Sequence, residues 1–227
     1  MNKISIFIFL ILLYLGLSKS FSPSEKASTY IINQQVFSSY FEGAPLSLVL
    51  VDSFQAGFLI KTYFQKYKVI HGFKTPETVI IRTSQKFWKE NKKNVGLSLF
   101  RRAEGKKIES TTPMPPGILY INDPSYGKWV NSDSGRKVWK FHRAYRHFPN
   151  LFMWGKFRPS EDFYKKALIH IENNLAFYGL NNEFGIEGEI TKVELAEFIN
   201  KKEYIKLDFL GHLKKLFEIP KLGKSNG

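Results

Sequence analysis

Residues 136–155 read RKVWKFHRAYRHFPNLFMWG and hold five cations, two histidines and six aromatics. Read as a strand, the run alternates: Lys137, Trp139, Phe141 and Arg143 point one way, Val138, Lys140 and His142 the other. Trp139 and Phe141 then share a core face. Just upstream, Asn131–Gly135 (NSDSG) is polar turn chemistry between Lys128-Trp129-Val130 and Arg136–Arg143, which predicts a β-hairpin. This hairpin belongs to a mixed, β-rich middle of the chain.

Downstream, Ser160 with Glu161 and Asp162 in the first turn predicts a helix that lines up Phe163, Ala167, Ile171 and Leu175 and closes at Gly179. Thr191-Lys192-Val193-Glu194 reads as a capping box opening another helix. A last helix spans Asp208–Glu218 before Pro220. Upstream, Ser22-Pro23-Ser24-Glu25 combines an N-cap serine, a first-turn proline and a glutamate. Ala27, Tyr30, Ile31, Gln34, Phe37 and Phe41 follow at helical spacing up to Gly43. Leu46–Val51 reads as a buried strand, and Ser53 as the cap of a helix reaching Tyr67. Val79–Arg82 and Val95–Arg101 read as strands with a helix, Gln85–Lys92, between them. Ile118–Ile121 reads as a strand after the prolines at 113, 115 and 116.

This order gives an α+β fold: a single globular domain over residues 21–227 with an N-terminal helix, a mixed β-rich middle and a helical C-terminal third. Residues 218–227 read as a loose tail.

Residues 1–20 read as a secretory signal peptide. Lys3 supplies the charge, Ile4–Leu17 the apolar run, and Ser18-Lys19-Ser20 the small residues before a cut at Phe21. A run of fourteen residues falls short of the roughly 20 that span a bilayer, although an anchor retained without cleavage is the alternative. The chain has no cysteine, which excludes disulfides, thiolate nucleophiles and cysteine zinc sites. No Asn-x-Ser/Thr sequon occurs, so the expected location is periplasmic or secreted after cleavage near Ser20.

The net charge is +14, and residues 60–158 alone carry 21 Lys and Arg against six acids. A basic surface of this kind favours polyanions. The expected partner is an anionic envelope polymer, a polysaccharide or a membrane surface, ahead of nucleic acid. The residues proposed to hold it are Lys137, Trp139, Lys140, Arg143, Tyr145, Arg146, Trp154 and Lys156, cations for the charge and aromatics for sugar rings. His142 and His147 lie five apart, which matches neither helical nor strand spacing for metal ligands.

Several motifs suggest chemistry. Ser125-Tyr126-Gly127-Lys128 matches the Ser-x-x-Lys of penicillin-binding enzymes, but the companion elements are missing or out of place, and Asp123-Pro124 and Gly127 predict a turn. Thr112–Gly117 running into Ile118–Ile121 resembles, over ten residues, the segment entering one strand of L,D-transpeptidases. That family's catalytic cysteine has no counterpart here, so no activity carries over. Glu183–Glu194 (EFGIEGEITKVE) resembles the second half of an EF-hand loop, which makes Glu183, Glu187 and Glu194 candidate calcium ligands, against Gly185 at a place where a ligand is expected. The expectation is no cofactor and no metal, with calcium at these residues as the alternative. Glu183, Glu187 and Glu189 also form an acidic cluster beside an aromatic, and the alternative function is a cell-wall hydrolase with Glu183 as acid or base. The leading expectation is a binding protein rather than an enzyme.

Overall fold

In a computed structural model of the chain, the described residues are 3–21, 29–57, 61–72, 74–105 and 109–200, with side chains described except at 3, 15–21 and 197–200. Along them run α1 (Lys3–Phe21), β1 (Tyr30–Ile31), α2 (Gln34–Tyr40), β2 (Leu46–Ala56), β3 (Thr62–Ile70), β4 (Glu77–Thr83) and α3 (Gln85–Asn91). Then follow β5 (Ser98–Arg102), β6 (Glu109–Ser110), β7 (Gly127–Asn131), β8 (Lys137–Phe141), α4 (Phe148–Leu151), α5 (Glu161–Glu172) and α6 (Glu189–Asn200). The fold is α+β. Met1–Leu195 forms one compact unit. Ala196–Gly227 forms a second, and within it only Ala196–Asn200, the end of α6, is described.

The apolar run Leu46–Val51 is buried throughout, because β2 lies inside a mixed sheet of order β1-β4-β3-β2-β5-β6. β2, β3 and β4 form an antiparallel meander, β5 pairs with the other edge of β2, and β1 runs parallel to β4. Phe37 of α2 sits 4.9 Å from Tyr67 and 5.6 Å from Phe87 of α3, so these short helices cover one sheet face with aromatic rings. Both helices start on side-chain caps. The Asn33 Oδ1 accepts from the Val36 N–H at 3.0 Å, and the Ser84 Oγ accepts from the Phe87 N–H at 3.1 Å. Such caps satisfy donors that the first turn leaves open.

Two consecutive arginines hold the β5–β6 turn. Arg101 is buried and donates to the Ser98 carbonyl at 2.9 Å, the Ser110 hydroxyl at 2.8 Å and the Thr112 carbonyl at 2.7 Å. Burial pushes its guanidinium down to about 9, which leaves it cationic at neutral pH. Arg102 pairs with Glu109 at 2.7 Å and donates to the Phe41 and Gly43 carbonyls.

The sequence reading is corrected at several elements. Ser22–Glu25 and Ala27 lie outside the described residues. Tyr30–Ile31, expected in a helix, pair with Arg82–Thr83 as strand, and the helix starts only after Asn33. The described residues of 53–67 form no helix. Residues 52–56 extend β2, and β3 buries Gln65, Tyr67 and Val69 at the period of two that defines a strand. Gly57 takes φ +99°, which suits a turn and not a helix interior. The strand expected from Val95 starts at Ser98, after a turn in which the Gly96 N–H donates to the Leu50 carbonyl at 2.7 Å. Ile118–Tyr120 is a 3-10 turn instead of a strand, because Gly117 at φ +80° redirects the chain. α5 ends at Glu172 rather than Gly179, with Asn174 at φ +54° just beyond, and Leu175 is exposed. α6 begins two residues before Thr191, whose buried hydroxyl has no hydrogen-bond partner among the described residues. It caps nothing. The helix expected at Asp208–Glu218 and the tail at 218–227 lie outside the described residues.

Candidate functional site

The hairpin forms where the sequence places it. In its turn, the Ser132 N–H donates to the Arg136 carbonyl and the Gly135 N–H to the Ser132 carbonyl, both at 2.8 Å. This turn fixes the register: Trp129 faces Trp139, and Lys128 faces Lys140. The tryptophans turn inward, with ring centroids 5.2 Å apart, while both lysines are exposed. The outer edge of β8 is taken up by the Trp139 N–H, which donates to the Pro159 carbonyl at 2.8 Å.

After β8 the chain folds through a 3-10 turn (Arg143–Tyr145) into α4, and each step sends a ring inward and a cation outward. Phe141, Phe148, Phe152 and Trp154 form one cluster, with Phe141 and Trp154 stacked at 5.9 Å and Phe148 and Phe152 edge-on at 5.2 Å. Tyr145 joins it against Phe148 at 5.0 Å. The Lys68 ammonium, pushed down by burial, donates to the Leu151 carbonyl at 3.1 Å and ties this segment to β3.

The expected binding residues therefore divide into two groups. Trp139, Tyr145 and Trp154 are 2%, 8% and 1% exposed and belong to the core. Lys137, Lys140, Arg143, Arg146 and Lys156 are exposed. Lys137 lies 3.9 Å from Glu161, between two largely solvated side chains. Among the described residues, Lys128, Lys140, Arg143, Arg146 and Lys156 form no ion pair. Lys128 was not singled out from the sequence; only the register of the hairpin brings it opposite Lys140.

His142 is also exposed, with its Nε2 2.9 Å from the Pro124 carbonyl, and His147 packs edge-on against Phe148. Both serve the turn.

Glu183 lies in the tight loop between α5 and α6. One of its oxygens accepts from the Asn181 N–H at 3.0 Å and the other from the Asn181 side chain at 3.2 Å. The loop is docked by the Tyr178 hydroxyl on the Asn94 Oδ1 at 2.8 Å and by the Ile186 N–H on the Lys93 carbonyl at 3.1 Å. Gly188 passes so close to the Glu183 backbone that no side chain fits there. Glu187 is exposed and pairs with Lys192 at 2.8 Å. Glu194 lies on α6, near Gly155 and within electrostatic reach of Lys68. Among the described residues no group of three His, Asp or Glu side chains is placed to hold a metal ion.

No protein-family model, no curated protein and no solved structure matches the chain.

Proposed function

We propose that this is an exported protein that binds an anionic polymer of the cell envelope through the cations of the hairpin and of the segment that follows it. The observation that carries the reading is the Lys128–Lys140 pair. Like charges directly opposite each other on neighbouring strands destabilise a hairpin, and here neither lysine has an acidic partner among the described residues. A polyanion seated across the pair relieves that repulsion and releases counterions. The inward turn of Trp139, Tyr145 and Trp154 favours recognition by charge over stacking on sugar rings.

Export is supported by α1. Every described side chain from Ile4 to Tyr14 is exposed, most of them large and apolar. Among the described residues no helix is long and apolar enough to cross a membrane. An apolar helix whose described side chains are all exposed fits a segment destined for the export machinery. Sequencing of the mature N-terminus is expected to start at Phe21; recovery of only the full-length chain from the cytoplasm refutes export. Isolated cell walls are expected to retain the protein at low salt and release it as salt rises, and retention that ignores salt refutes the charge-based reading. Vesicles with anionic headgroups, run in parallel, separate a polymer from a membrane surface.

A further inference from the structure

Residues 85–94 (QKFWKENKKN) hold four lysines and one acid, Glu90. They form α3 and the 3-10 turn Lys92–Asn94 that continues it. The segment is two-sided. Phe87, Trp88, Asn91 and Asn94 are buried, while Lys86, Lys89, Lys92 and Lys93 are exposed. Lys86, Lys89 and Lys93 stand three and four residues apart, the spacing of one helix face. Lys92 lies over the Trp88 ring at 5.4 Å. None of the four lysines forms an ion pair with a described residue. In the acidic loop docked on the Lys93 carbonyl, Glu183 is engaged by Asn181 and Glu187 by Lys192.

This lysine face and the cations that follow the hairpin lie on opposite sides of the main sheet. Along β3 successive side chains alternate between the two sheet faces. Tyr63 and Tyr67 point to one face. Trp88 packs on Tyr63 at 5.4 Å, and Phe87 packs on Phe37, which packs on Tyr67. Lys68 points to the other face, where its ammonium reaches the Leu151 carbonyl of α4. α4 lies in the segment that carries Arg143, Arg146 and Lys156. A helix is about 10–12 Å across with its side chains, so a helix layer on each side of the sheet holds the two sets of cations roughly 20 Å or more apart. At physiological ionic strength the Debye length is about 8 Å, so each set attracts anions on its own.

We propose that the α3 face is a second seat for the same class of ligand, so that one molecule holds two strands of an anionic polymer, one on each side of the sheet, and bridges them. This rests on the polyanion reading of the hairpin and adds the second strand to it. The separation of the two sets favours two strands over one, because a strand seated on one face must turn around the whole sheet to reach the other. Lysine suits such a seat: it is a flexible point charge that meets phosphate or carboxylate oxygens without a fixed geometry.

The probe is long-chain inorganic polyphosphate, one portion immobilised on beads and another carrying a fluorophore at its end. Bare beads repel the labelled strand. Beads coated with the full chain at low salt are expected to capture it and to release it as salt rises. Lys86→Gln/Lys89→Gln/Lys93→Gln is expected still to bind the beads, through the hairpin cations, and to lose roughly tenfold or more of the captured strand. Lys140→Gln/Arg143→Gln/Arg146→Gln is expected to bind through α3 and to lose capture likewise. All six side chains are exposed, so both variants fold, and urea melts verify this. Lys165→Gln/Lys166→Gln, which removes two exposed cations of α5, controls for net charge and is expected to capture as the wild type does. Full capture by the α3 variant overturns the second seat and leaves the hairpin reading standing. Full bead binding and capture by the hairpin variant overturn the hairpin reading, and the bridge with it. Failure of the wild type to capture, loss of bead binding by the α3 variant, or an equal loss in the α5 control also overturns the bridge.

Discussion

Replacing Lys128 and Lys140 together by Gln is expected to move stability and polyanion affinity in opposite directions. The two residues are Cα partners across β7 and β8, which places their Cβ atoms about 4.5–5.5 Å apart. Their ammonium groups splay in solvent, and two unit charges ~7 Å apart in water repel by about 0.6 kcal/mol. Relief of that repulsion raises stability by roughly 0.2–1 kcal/mol, or about 1–4 °C in melting temperature for a chain of this size. Binding to isolated walls weakens, and the slope of log affinity against log salt falls in magnitude by roughly 1.5, the share of two released counterions. Lys137→Gln is the control: it removes a contact to Glu161 at 3.9 Å and brings no relief. Urea melts give the first quantity and a salt series of wall-binding isotherms the second. Unchanged binding and slope at low salt make the cations a solvated face and end the functional reading. A less stable double variant refutes the cross-strand argument.

Further outcomes follow from the core and from one histidine. Trp154→Ala removes a ring packed against Phe141, Phe152 and Phe157 and is expected to cost about 3–5 kcal/mol in urea melts; a loss under about 1 kcal/mol means that the ring is not core. His71 is pushed down by burial first and then by Lys74; Glu77 pulls it the other way, and Arg102 adds the smallest push down. Between its depressed native value and about 6.5 the unfolded chain binds more protons, so stability falls as pH drops through that window. His71→Gln is expected to flatten that part of the stability profile, and an identical slope in melts at several pH values refutes the assignment.

Much of the fold was legible wherever local chemistry and tertiary packing agree. NSDSG turned the chain as its residues demand, and the alternation of Trp139 and Phe141 located the core face correctly. Ser160 capped α5 as expected, its Oγ accepting from the Phe163 N–H at 3.2 Å. Errors gathered where apolar residues are dense enough to fit either period. Residues 53–67 suit a helix in isolation, but the ladder with β4, from Tyr63 opposite Thr83 to Val69 opposite Glu77, decides for a strand. Thr191 has the letters of a capping box, yet α6 starts two residues earlier at Glu189 and the threonine side chain packs closely on Gly96. The candidate site was half legible. Composition located the cations, but which of the aromatics between them reach solvent depends on how Arg143–Phe152 coils, and periodicity does not carry that. Lys128 was missed because its place opposite Lys140 follows from the exact register of the hairpin turn, which turn composition alone does not give.

The buried rings under the cations also bear on function. A long cationic side chain gains little from a polyanion if its backbone must first be ordered. Here the backbone is ordered in advance. Trp139, Phe141, Phe148, Phe152 and Trp154 interlock at centroid distances of 5.2–6.3 Å, and Lys68 ties α4 to the main sheet. Lys140, Arg143, Arg146 and Lys156 are exposed on this packed layer, so in the proposed function only side-chain freedom would be lost on binding. In the proposed function the aromatics of the segment would therefore act through the cations they space.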